Sequence, residues 1–262
     1  MKTLAAVLAM MALTVAAISR AHAEVRTEVV EYRHGDVVLE GYLAYDTTLK
    51  GKRPGVLVVH EWMGRNPYVR KRAEQLARLG YVAFALDMYG KGVLAKDAKE
   101  AAALAGIYRG DRKLMRARAA AGLDVLRSRP EADPARLAAI GYCFGGTVVL
   151  ELARGWADLV SVVSFHGGLD TPTPLDARNI KGKVLALHGG DDPFVPVKQV
   201  EAFQEEMRKG GVDWQFVSYG GAVHGFTNPE SGDDSSTGAA YNERADRRSW
   251  QAMKSFFEET VQ

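Results

Sequence analysis

Short, uninterrupted apolar runs recur along this chain, with amphipathic stretches between them. No other feature constrains the fold so strongly. Gly55–His60 reads GVLVVH, Tyr81–Leu86 YVAFAL, Arg136–Tyr142 RLAAIGY, Val160–Phe165 VSVVSF and Lys183–His188 KVLALH. A strand that is apolar at every position has both faces buried, as in a parallel sheet covered on both sides. Helical periodicity fills the intervals at Pro67–Leu79 (ended by Gly80), Lys96–Ile107, Asp111–Ser128, Gly145–Arg154, Val197–Lys209 and Tyr241–Thr260. Val25–Arg33 and Val37–Tyr45 flank the turn HGD and predict an antiparallel hairpin, and Asp213–Tyr219 predicts a last strand. The expectation is an α/β fold with a mostly parallel central sheet and helices on both faces. No Pro/Ser-rich linker divides the chain, so Glu24–Gln262 reads as one domain, with the polar stretch ESGDDSSTG at 230–238 as a surface loop.

The first 23 residues follow a different pattern. Lys2 precedes an uncharged apolar run from Leu4 to Ile18, and Ala21-His22-Ala23 is a small-x-small ending. This reads as a secretory signal peptide cleaved after Ala23, with the bacterial periplasm as destination. The run is short for a membrane anchor, the alternative reading. Cleavage would remove two of the 34 basic residues, Lys2 and Arg20, and none of the 32 acids. The mature chain is then charge-balanced, which argues against nucleic acid or an anionic membrane as partner. No later run is long enough to span a bilayer, so a soluble mature protein is expected.

In open α/β sheets the functional groups gather just beyond the carboxyl ends of the strands. There the chain carries Glu61-Trp62-Met63-Gly64, Asp87, Cys143, His166, Asp191-Asp192 and His224. Cys143 is the only cysteine and sits in AIGYCFGGT at 139–147. An exported lone cysteine is a buried hydrophobe, an intermolecular link or a reactive thiol. Its neighbours favour the third. Gly-x-Cys-x-Gly-Gly between a strand and a helix has the form of a nucleophile elbow with cysteine in place of serine. Side chains two before and two after the nucleophile would clash in so sharp a turn, which suits Gly141 and Gly145. The following helix aims N–H groups at the sulfur, stabilising a thiolate. No Gly-x-Ser-x-Gly competes for the role.

Cys143, Asp192 and His224 follow in the chain order nucleophile, acid, histidine, each beyond a different strand. Asp192 would orient the imidazole and favour its charged form. Asp191 is the rival, and the position of Asp192 directly before Pro193 favours Asp192. His60, His166 and His188 adjoin strand ends without a partner in this pattern and read as packing or capping residues. His34 reads as a hairpin-turn residue. An oxyanion hole needs two N–H donors: Phe144, after the nucleophile, and Trp62, in the loop after the third strand. Trp62, Met63, Phe144 and Phe226 are the candidates for an apolar pocket wall. Neither a cluster with metal-ligand spacing nor a phosphate-cradling glycine loop is present, so no metal or other cofactor is expected.

The blocks VVHEWMGRNPYVRKRAEQLARLGYVAFALDMYG, AAIGYCFGGTVV, LHGGDDPFVP and SYGGAVHGFTNP resemble, in order, those of the dienelactone hydrolase family. The resemblance runs from about Thr27 to Gln262. It implies an α/β-hydrolase fold, with Cys143 as nucleophile, His224 as base and Asp192 as orienting acid. It also implies a function for Glu61, which in the family lies beside the cysteine and helps govern when the thiol ionises. The family holds its substrate's carboxylate with basic side chains at two positions occupied here by Lys91 and Asn228. Both are therefore candidate substrate contacts, alongside Met63 and Phe226. Lysine lacks the bidentate fork of arginine, so Arg72, Arg109 or Arg247 is the candidate to compensate.

The expected reaction is hydrolysis of a small-molecule ester or lactone through a thioester on Cys143, with the span Gly90–Arg112 as a partly helical cap over the site. Two other readings use the same residues. One is a non-catalytic periplasmic binding protein with an inert cysteine. The other is a redox thiol protein, against which no second cysteine exists to resolve a mixed disulfide.

Overall fold

The computed structural model describes residues 23–261; the segment read as a signal peptide lies almost wholly outside them. In chain order the strands are β1 (Val25–His34), β2 (Val37–Asp46), β3 (Arg53–Val59), β4 (Val82–Ala85), β5 (Ala132–Tyr142), β6 (Ser161–Phe165), β7 (Lys183–Gly189) and β8 (Trp214–Tyr219). The helices are α1 (Pro67–Arg78), α2 (Ala98–Gly110), α3 (Arg112–Arg127), α4 (Phe144–Arg154), α5 (Val197–Gly210) and α6 (Glu243–Thr260). One eight-stranded sheet runs in the order β1-β2-β4-β3-β5-β6-β7-β8. The β1–β2 hairpin joins it antiparallel through β4, and every pair from β4–β3 to β7–β8 is parallel.

Strand periodicity splits the apolar runs between two cores. On β3, Leu57 and Val59 face one core with Phe84, Leu123, Phe144 and Val148, while Val56 and Val58 face the other with Val69, Leu76, Ile140 and Phe257. Both faces are covered, which is why these strands are apolar throughout. Helix starts are marked by side-chain caps. Asn66, Asp97, Asp111 and Asn242 accept hydrogen bonds from Val69, Glu100, Leu114 and Ala245 N–H respectively.

Several element ends shift by a residue or a few, and two departures are structural. β5 begins at Ala132 rather than Arg136, and its register on β3 jumps between Pro54 and Gly55, whose partners are Asp133 and Leu137. Pro134 has no N–H for the ladder, so the chain loops out around it. The polar stretch at 230–238 contains two short 3-10 turns, Pro229–Ser231 and Ser235–Thr237. No helix among the described residues is long and apolar enough to cross a membrane.

Candidate active site

The ends of β3, β5, β6, β7 and β8 converge on Cys143. The residue has φ 53° and ψ −116°, a conformation that costs an L-residue energy and persists only when its surroundings enforce it. The glycines make the turn possible. A Cβ on Gly141 would lie 2.0 Å from the Gly145 carbonyl oxygen, and one on Gly145 would lie 2.3 Å from that of Val59. α4 starts at Phe144, directly after the thiol. Among the described residues, neither Phe144 N–H nor Trp62 N–H has an acceptor. The Trp62 loop is tied down by its carbonyl, which accepts from Tyr89 Oη at 2.9 Å.

His224 Nε2 lies 3.0 Å from Cys143 Sγ, and Nδ1 donates to Asp192 Oδ2 at 2.8 Å. Asp192 is buried and its second oxygen accepts from Phe194 N–H at 2.8 Å, whereas Asp191 is exposed. The direction of the β7–α5 loop thus selects Asp192 over its neighbour. The segment 238–240 holds the histidine backbone, since His224 N–H donates to Gly238 and Ala240 N–H donates to His224. Burial opposes a charge on the imidazole. The Cys143 sulfur and the Asp192 carboxylate outweigh it and raise the His224 pKa to about 10.

Glu61 is buried beside this chain of groups and accepts from Asn228 Nδ2 at 2.6 Å. Burial pushes its pKa up to about 7, against the pull of Asn228 and of the His224 and Arg72 charges. A cavity of about 890 Å³ opens over Cys143, His224 and Glu61, with Trp62, Met63, Phe194 and Arg109 among its walls. No group of three or more His, Cys, Asp or Glu side chains among the described residues could hold a metal ion.

The model of the dienelactone hydrolase family matches residues 39–261. The chain belongs to the dienelactone hydrolase family. It is 43% identical to the solved structure of m3DLH, with a TM-score of 0.88 over 91% of this chain and 99% of that one. It is 41% identical to a dienelactone hydrolase-like promiscuous phosphotriesterase from metagenomic libraries, with a TM-score of 0.86 over 91% and 99%. Protein usf of Aquifex pyrophilus is 29% identical over 236 residues, 88% of this chain and 98% of the relative. The chain is therefore an α/β-hydrolase in both fold and function.

Within this dienelactone hydrolase scaffold, three sequence expectations need correction and a fourth is qualified. Lys91 does not reach the cavity; it is exposed and paired with Glu31 at 2.5 Å, because the β1–β2 hairpin lies against the loop after β4. Phe226 is fully buried between His166 and Tyr219 rather than in the cavity wall. Phe144 likewise packs into the core against His60, Tyr89 and Tyr108. Asn228 does line the cavity, but its amide is engaged by Glu61 and its oxygen by Glu230 N–H.

Of the three candidate arginines, only Arg109 faces the cavity, its guanidinium 6.0 Å over the Phe144 ring. Arg72 is buried against Asp246 and Tyr68, and Arg247 borders a groove on α6. Arg112, which no motif singles out, also lines the cavity and pairs with Asp170 at 2.9 Å. The end of the expected cap span thus reaches the site through Arg109 and Arg112. The loop at 230–238 contributes Glu230, Ser231 and Thr237 to the rim. His60 bridges the loops after β3 and β4, since Nε2 accepts from Met88 N–H and Nδ1 donates to the Glu61 carbonyl. His34 accepts from Arg118 Nε at 3.0 Å.

Proposed function

We propose that this hydrolase cleaves small carboxylic esters or lactones through a thioester on Cys143. The continuous contact from Cys143 Sγ through the two His224 nitrogens to Asp192, at 3.0 and 2.8 Å beneath an open cavity, carries the reading. His224 takes the thiol proton and the thiolate attacks the carbonyl carbon. The oxyanion is met by Phe144 and Trp62 N–H. The C–O bond then breaks, and the departing alkoxide takes a proton from the imidazolium. A water that gives its proton to His224 attacks the thioester, and Cys143 leaves with the acid released. An amide is a poorer substrate, because the thiolate leaves more easily than the amine and the first step reverses.

Asp192 holds the Nδ1–H tautomer. Glu61, with its carboxyl poised near neutrality, modulates the charge around the thiol. Arg109 is the cation available to a substrate carboxylate, since it lines the cavity and has no acid partner among the described residues. Phosphotriester hydrolysis is a second reading, supported by the 41% identity to the promiscuous phosphotriesterase. The same thiolate would attack phosphorus. We propose export as well, on the Lys2, Leu4–Ile18 and Ala21-His22-Ala23 pattern. A mature amino terminus at Glu24 in a periplasmic extract tests it.

The deciding experiment is burst kinetics with p-nitrophenyl acetate followed by intact-mass analysis of the quenched protein. An acetyl adduct on Cys143, absent in Cys143→Ala and formed far more slowly in His224→Ala, is the expected result. No adduct and no turnover with a panel of esters, lactones and phosphotriesters would overturn the enzyme reading in favour of a binding protein.

A further inference from the structure

The residue behind the nucleophile is as constrained as the nucleophile itself. His166 follows β6, is fully buried and has φ 40°, a left-handed backbone that a non-glycine residue adopts at a cost. Cys143 N–H has two acceptors, the Phe165 carbonyl at 3.0 Å and His166 Nδ1 at 3.1 Å. Because Nδ1 accepts, the ring proton sits on Nε2, which donates to Thr227 Oγ1 at 2.7 Å. Thr227 and Tyr68 Oη are 2.6 Å apart, and Arg72 Nε donates to Tyr68 Oη at 3.2 Å. Beyond them, Arg72 pairs with Asp246 on α6 at 2.5 Å. The imidazole is thereby fixed at both nitrogens. Its ring also packs edge-on against His224, with centroids 5.3 Å apart. One side chain therefore touches both the backbone of the nucleophile and the ring of its base.

We propose that His166 is a positioning residue of the hydrolytic reaction: through Nδ1 it holds Cys143 N–H, and with it the strained elbow, so that Sγ stays aimed at His224 Nε2. His166 does not line the cavity, so it lies behind the nucleophile rather than against a substrate held there. The role requires a neutral ring, and burial, with the His224 and Arg72 charges close by, keeps the His166 pKa well below its ordinary value. The inference rests on the proposed role of Cys143 as nucleophile.

His166→Leu removes the acceptor and keeps apolar bulk. His166→Asn restores an acceptor oxygen near Nδ1 and tolerates a positive φ better than most residues. With p-nitrophenyl acetate, His166→Leu is expected to lower kcat by at least about tenfold, the equivalent of one hydrogen bond. Its KM should change by less than about threefold, since no substrate contact is lost. His166→Asn is expected to recover most of the kcat. Thr227→Val leaves the elbow sequence intact and releases Nε2 together with Tyr68 Oη, so it tests the same chain of contacts if His166→Leu does not fold; a fall in kcat without a change in KM is expected.

Wild-type kcat in His166→Leu, an equal loss in His166→Asn and His166→Leu, or no effect of Thr227→Val in a folded protein would overturn the inference. Any of these with an acetyl adduct still forming on wild-type Cys143 leaves the nucleophile reading standing. Absence of that adduct from the wild type would overturn both.

Discussion

Asn228 donates from Nδ2 to Glu61 Oε2 at 2.6 Å, joining the loop after β8 to the loop after β3 at the edge of the thiol site. The bond favours the charged carboxylate, while burial favours the neutral acid and prevails, leaving the Glu61 pKa at about 7. One amide N–H thus holds Glu61, while Asn228 still lines the cavity with its second N–H.

Glu61 therefore gives the fold a pH dependence of defined sign. Its folded pKa lies above the unfolded value of 4.5, so the unfolded chain holds fewer protons between the two and stability falls as pH rises through that window. Replacing Glu61 by Gln removes this cost. The variant is expected to match the wild type in stability near pH 4 and to exceed it at pH 8, by on the order of 1–3 kcal/mol. Asn228→Ala removes a bond to the carboxylate, so it should raise the Glu61 pKa further and move the corresponding limb of the activity profile to higher pH. Thermal melts and a pH profile of kcat/KM check both.

Asp192 and Asp191 separate cleanly. Only Asp192 is buried and bonded to His224. Asp192→Asn loses the carboxylate that holds the imidazole tautomer and supports its charge, so kcat/KM should fall by roughly 100- to 10,000-fold. Asp191→Asn should stay within about twofold of the wild type, as an exposed substitution does. Steady-state ester hydrolysis of the two variants side by side decides between them.

The contrast between these neighbours indicates what the sequence makes legible. The elbow, the acid and the histidine lie on short loops at strand ends, where local spacing and the order of the strands determine position. Strand periodicity likewise reveals the sheet, because both of its faces must be apolar. Lys91 and Phe226 fail for a different reason. Whether a side chain on a longer loop turns to the cavity depends on what packs beside it: Glu31 from a distant hairpin in one case, His166 and Tyr219 in the other. His166 itself gives only a weak local sign, a histidine at a strand end before two glycines. Its bonds to Cys143 and Thr227 join residues 23 and 61 positions away.

The elbow glycines predict a steep difference in tolerance. A methyl group on Gly145 would sit 2.3 Å from one backbone oxygen and 2.7 Å from another, and neither atom can rotate aside. Gly145→Ala is expected to lose several kcal/mol of stability or fail to fold, by the overpacking mechanism. Gly220 has nothing within 4 Å of the same added atom and no positive φ. Gly220→Ala should melt within a few degrees of the wild type. Circular dichroism melts of the two alanine variants are the check.

Preference for substrate charge is the property that the proposed role of Arg109 predicts. It faces the cavity with its guanidinium over the Phe144 ring, while Lys91 is occupied by Glu31 at the surface. A free cation beside the site stabilises a bound carboxylate in ground and transition states alike, so its loss should appear in KM rather than kcat. For an ester or lactone bearing a carboxylate, Arg109→Ala is expected to raise KM by roughly 10- to 150-fold, the range of one charge-assisted hydrogen bond. For p-nitrophenyl acetate, which has no such charge, KM should hardly move. Lys91→Ala should leave both substrates unaffected. Arg109→Lys should restore only part of the affinity, because an ammonium lacks the two-pronged geometry that matches a carboxylate. Steady-state kinetics with matched anionic and neutral esters separate the outcomes, and an equal KM change on both substrates would show that Arg109 shapes the cavity rather than recognising charge.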